Sequence, residues 1–216
     1  MRWIKSWCLA ALMTAALAGL APSRAHAGQV LNFTLKGSSI SGNFGTTQTI
    51  PCGTGQSTIF TFVSWTGFQA QQRQQGTLTT FVSAGAFIQQ NNNCTGATFE
   101  DFAFVQSGVT LTVNGTNSAT LTGDIPLFVS GGTLSLNVTI SQTTNLSQGL
   151  RFNRSNVGPM MFKMRTSSTS ADANSVSGTV ALNGQNIPLV NLSDVSGNIQ
   201  NNNSGTLLVI GARTSP

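Results

Sequence analysis

The chain has 216 residues, enough for one ordinary domain, but just 7% of them are charged and the formal net charge is +5. A nucleic-acid partner needs a broad cationic face, which so few charges spread along the chain do not supply. Apolar residues recur in a regular pattern, which excludes a disordered chain despite the wealth of Ser, Thr, Asn, Gln and Gly.

The N-terminus has the layout of an export signal. Arg2 and Lys5 precede the apolar stretch 7–20, and Ala25-His26-Ala27 fits the A-x-A cleavage rule. This predicts a signal peptide over 1–27 and a single secreted β domain over 28–216. The apolar stretch is shorter than the roughly 20 residues of a bilayer span, so no transmembrane segment is expected after cleavage. The expected location is secreted, periplasmic or cell surface. Cys8 lies inside the signal and does not follow the cleavage site, which argues against a lipid-modified cysteine. From Gly28 onward the chain keeps seven Lys and Arg, all five acids, no His, and Trp65 as its sole Trp. Cys52 and Cys94 also remain. An even cysteine count in an exported chain reads as one disulfide, whose chain-entropy contribution is about 4 kcal/mol. The alternative is two free or metal-bound thiols, with no His to complete a zinc site.

Strands dominate the rest of the chain. The predicted strands are 30–35, 57–65, 78–82, 84–88 and 99–105, then 109–113, 125–129 and 133–141, then 160–165, 176–182, 186–190 and 206–210. Two carry a clear period of two. Val109, Leu111 and Val113 alternate with Thr, and Leu134, Leu136, Val138 and Ile140 alternate with Ser, Asn and Thr. Such alternation marks strands with one buried and one wet face. Asn114-Gly115, Gly131-Gly132 and Asn183-Gly184 read as hairpin turns. The Asn runs 91–93 and 201–203 and the Gln-rich 69–75 read as loops. Pro126 and Pro188 place their strands at an edge or a bulge. About a dozen short strands and no helix predict an all-β fold, an antiparallel β-sandwich of jelly-roll or immunoglobulin-like form with one disulfide. A β-barrel is the alternative.

Catalytic groups are scarce. A Ser-His-acid triad needs an imidazole, and none occurs after Gly28. A Ser–Lys dyad has Lys36 or Lys163 available, without a spacing motif. Glu100 and Asp101, as strand neighbours, point to opposite faces and cannot flank a sugar together; pairs among Asp124, Asp172 and Asp194 stay open. No phosphate loop, dinucleotide fingerprint or zinc spacing is present. The expectation is a non-enzymatic protein with neither metal nor cofactor. Contact residues are easier to nominate. The segment 151–165 carries Arg151, Arg154, Lys163 and Arg165 among Met and Phe, with no acid. It reads either as a contact surface for an anionic glycan, lipid headgroup or protein, or as a strand that is apolar inside and basic outside. Trp65 is a candidate sugar platform or a core residue. The expected partner is a cell-surface glycan or a protein.

The export signal, the all-β pattern and a cysteine pair about 40 residues apart together resemble chaperone–usher pilins. That resemblance implies an incomplete immunoglobulin-like domain completed by a neighbour's strand. The C-terminal sequence TLLVIGARTSP departs from it, lacking the aromatic residue such pilins carry. The Ser/Thr-alternating hairpins also resemble, in composition, the membrane-inserting segments of β-pore-forming toxins. The functional expectation is an exported β-sandwich with a structural, adhesive or envelope-associated role. A pilin-like fimbrial subunit and a glycan-binding module are the alternatives.

Overall fold

The computed structural model describes residues 29–74, 77–157 and 160–210; the predicted signal, 1–27, lies outside them. The described residues form ten strands: β1 (Gln29–Cys52), β2 (Gly55–Gln74), β3 (Thr77–Asn92), β4 (Ala97–Val105), β5 (Val109–Asn114), β6 (Ser118–Pro126), β7 (Thr133–Val157), β8 (Met160–Leu182), β9 (Gln185–Ile187) and β10 (Ser193–Ile210). All belong to one antiparallel sheet in the order β4-β3-β2-β1-β10-β8-β7-β6-β5, with β9 paired to β8. The all-β, antiparallel reading and the disulfide hold. The sandwich detail differs: the strands share one hydrogen-bonded sheet instead of two separate ones. This sheet stays open and does not close into the alternative barrel.

The open sheet makes a core by curling until its flanks meet. Strands β2, β3 and β4 contact β5 and β6. A Cβ placed on Gly67 of β2 would stand 3.2 Å from Leu121 Cδ1 of β6. Between the flanks lies one cluster that includes Phe44, Trp65, Ile88, Leu121, Ile140 and Ile199. The face of the sheet that carries this cluster is the inner face. At one end, Cys52 and Cys94 are joined across a Cα separation of 5.7 Å, tying the end of β1 to the turn after β3.

Strand lengths depart most from expectation. Segments 69–74 and 201–203, expected as loops, lie within β2 and β10, and β7 runs to Val157. These stretches lack a hydrophobic period because they extend beyond the core. They are strands nonetheless because the backbone is paired on both sides: Asn201 is opposite Ser38 of β1 and Thr169 of β8. Short polar side chains then bond across the ladder. Ser38 Oγ donates to Asn201 Oδ1 at 2.6 Å, and on the strands of the core itself the Thr120 and Thr139 hydroxyls lie 2.8 Å apart.

Turn chemistry is more local and tracks the sequence closely. Asn183 and Gly184 both have positive φ, 51° and 79°, as a type I′ turn requires, and they link β8 to β9. Gly131-Gly132 does not make a tight hairpin. Residues 127–132 form a longer connection because Leu127 enters the core and the next residues are held by β4. The Phe128 amide donates to the Phe102 carbonyl at 3.0 Å. The Asp101 carboxylate accepts from the amides of Phe102, Val129 and Ser130 at 2.8–2.9 Å. Asp101 is just 1% exposed. Burial alone would raise its pKa, but the Ser130 side chain and these three amides outweigh burial and lower it from 3.8 to about 2. Thus the Glu100-Asp101 pair sits on a strand with its members on opposite faces, and Asp101 works as a latch on the outer edge of β4.

Candidate functional site

Beyond the core, the inner face continues as an exposed surface across β3, β2, β1, β10, β8 and β7. Directly opposed residues in antiparallel strands project to the same side, so the register shows which side chains meet. One row runs Leu78, Arg73, Thr34, Gly205, Arg165, Phe152. The row nearer the core runs Thr80, Gln71, Lys36, Asn203, Ser167, Leu150. One step farther out, Arg154 is directly opposite Lys163. Parity ties these rows to the core: Lys36 lies four residues from buried Ile40 on β1, and Arg73 eight from buried Trp65 on β2.

Five cations therefore share one face: Lys36, Arg73, Arg154, Lys163 and Arg165. All five are exposed. No carboxylate occupies these rows among the described residues. Glu100 and Asp101 are on β4 and Asp124 is on β6. Asp172 projects from the outer face of β8 between buried Ala171 and Ala173, bonded by Asn145 and Asn198. With strand spacing of about 4.8 Å and a two-residue step of about 6.8 Å, the cations span roughly 20 Å from Arg73 to Arg154. The Arg165 guanidinium sits 5.5 Å from the centre of the Phe152 ring, a cation–π geometry, and Phe152 is 68% exposed.

Of the contact residues nominated from sequence, the sheet brings together Arg154, Lys163 and Arg165. It separates Arg151, which pairs with Thr166 and faces the opposite side. Trp65 is not a surface platform: it is 2% exposed, with its ring 5.8 Å from that of Phe44. The reason is parity, since residue 65 falls on the inner face where the flanks meet. The segment reading missed Lys36 and Arg73, which lie more than 75 residues away in sequence. Only strand register reveals them. It also missed an exposed aromatic pair at the latch, Phe102 and Phe128, whose rings meet edge to face at 5.5 Å.

No protein-family model matches the chain, and no curated protein matches it. Two solved structures align with it: the type III secretion injectisome secretin InvG of Salmonella and the type II secretion secretin XcpQ of Pseudomonas aeruginosa. Identities are 10% and 9%, covering 98% and 92% of this chain, with TM-scores of 0.13 and 0.12. The alignments cover 66% and 62% of those two chains. Likeness this weak carries no argument about fold or function.

Proposed function

We propose that the protein is an exported, non-enzymatic β protein that works by contact, in an adhesive or envelope-associated role. The extended inner face is its working surface. The observation that carries this reading is the gathering of Lys36, Arg73, Arg154, Lys163 and Arg165 on one exposed surface, in rows that hold no carboxylate among the described residues. Folding alone gives no reason for this. Like charges directly opposed on neighbouring strands are unfavourable, and a chain with so few charges could have spread them. Lys163, Arg165 and Arg154 fall within about one Debye length of one another at physiological salt, so solvent ions do not screen their repulsion fully. A surface that accepts this cost suits an anionic partner.

The inventory of chemical groups supports the same reading. After Gly28 there is no imidazole, and the two cysteines of that portion are joined to each other. The signal layout and the disulfide support an exported location. The direct test is retention. A variant with all five cations changed to Gln should leave the envelope fraction of the producing cells and appear in the medium, while wild-type protein stays bound. Equal retention of both would refute contact through this face.

A further inference from the structure

We propose that the inner face binds an acidic polysaccharide laid across the strands. This rests on the reading of the face as a contact surface and names the chemical class of its partner. The cations are not a compact nest for one small anion. They are strung over about 20 Å across five strands, so one ligand meets all of them only if it carries repeated negative charges along an extended chain.

What lies between the cations decides the kind of polyanion. The positions flanking Lys36, Arg73 and Arg165 are Thr34, Gln71, Thr80, Asn203 and Ser167. Their hydroxyls and amides both donate and accept hydrogen bonds, which matches a ligand bearing hydroxyl groups between its charges. Phe152, held beside Arg165, offers an exposed ring for the apolar face of a sugar. A bilayer would need a continuous apolar stripe to enter its interface. Among the described residues the outermost cation row, Asn32, Leu207, Lys163, Arg154, holds one apolar residue, and in the two rows nearer the core the apolar members, Leu78 on β3 and Leu150 and Phe152 on β7, stand on opposite margins. They are about 24 Å apart with polar side chains between them.

The test uses the chain from Gly28 and four immobilised or suspended probes: polygalacturonate, neutral dextran, phosphatidylglycerol vesicles and single-stranded DNA. The expected result is binding to polygalacturonate that weakens with salt, at least tenfold tighter than to dextran or vesicles and tighter than to DNA of equal charge. The variant with all five cations changed to Gln should lose at least about tenfold in polygalacturonate affinity, because multiple ion contacts release counterions together. Vesicle or DNA binding that exceeds polygalacturonate binding and is lost in the five-site variant would overturn the polysaccharide assignment and leave the contact surface standing. Polygalacturonate binding that survives in the five-site variant, with the variant still held in the envelope fraction, would overturn both. A far-ultraviolet circular dichroism spectrum identical to wild type confirms that the five exposed changes leave the fold in place.

Discussion

Trp65 of β2 lies directly opposite Gly42 of β1, and the indole occupies the space a side chain at position 42 would need. A Cβ at Gly42 would stand 2.5 Å from Trp65 Cζ2 and 2.8 Å from Cε2. Both residues are buried, so the ring has nowhere open to go. Gly42→Val is expected to destabilise the domain by about 1–3 kcal/mol through overpacking, and Trp65→Ala by about 3–5 kcal/mol through the cavity it leaves. Urea unfolding followed by circular dichroism measures both. In the chain from Gly28, Trp65 is the sole indole, so its fluorescence should be that of a buried ring and should shift to the red in Gly42→Val.

The Asp101 latch makes an acid-sensitive seam. Its carboxyl has a folded pKa of about 2 against an ordinary 3.8. The folded state therefore holds fewer protons than the unfolded one between these values. Its stabilising effect is complete above 3.8 and is lost as pH falls through about 2. Asp101→Asn should lower the melting temperature at neutral pH, because an amide cannot accept all three backbone donors. The gap from wild type should close as pH approaches about 2. A gap that stays constant from neutral pH down to that point would show that the charge of Asp101 does not hold residues 127–130.

Removing the disulfide with Cys52→Ser and Cys94→Ser should cost about 4 kcal/mol, the loop-closure entropy regained by the unfolded chain. The bridge ties β1 to the turn after β3 at the end opposite the basic rows, so affinity for an acidic polymer should stay unchanged while the urea midpoint falls. A chain of this length buries enough surface to fold without the bridge.

How far the sequence could be read depends on where each strand sits. Alternation was legible wherever one face is buried, as in Val109–Val113 and Leu134–Ile140, and the Asn183-Gly184 turn was legible because its backbone needs residues that tolerate positive φ. Segments such as 69–74 and 201–203 were not, because strand ends that run past the core are under little hydrophobic selection. Their extended form comes from neighbours distant in sequence. The same physics hid the site. Arg154, Lys163 and Arg165 are close in sequence and suggested a patch, but the side of the sheet taken by Arg151 comes from register between β7 and β8, and the addition of Lys36 and Arg73 from register between β2, β1, β10 and β8. Trp65 could not be assigned to core or surface without knowing which parity of β2 faces inward.

The opposed Arg154–Lys163 pair separates function from stability. Lys163→Glu turns a like-charge pair into an opposite-charge one and should stabilise the domain by about 0.2–1 kcal/mol, while weakening binding to polygalacturonate. A positive change in melting temperature with a loss of affinity is the expected signature. A loss of both would mean that Lys163 supports the fold.

The most direct measurement compares four single changes, Lys36→Gln, Arg73→Gln, Arg165→Gln and Arg151→Gln, by the slope of log affinity for polygalacturonate against log salt. The folded face predicts that the first three each flatten the slope to a similar degree, since each removes one ion contact, and that Arg151→Gln on the opposite face leaves it unchanged. If Arg151→Gln and Arg165→Gln act alike while Lys36→Gln and Arg73→Gln do nothing, the contiguous segment 151–165 binds by itself, and the surface assembled by strand register is contradicted.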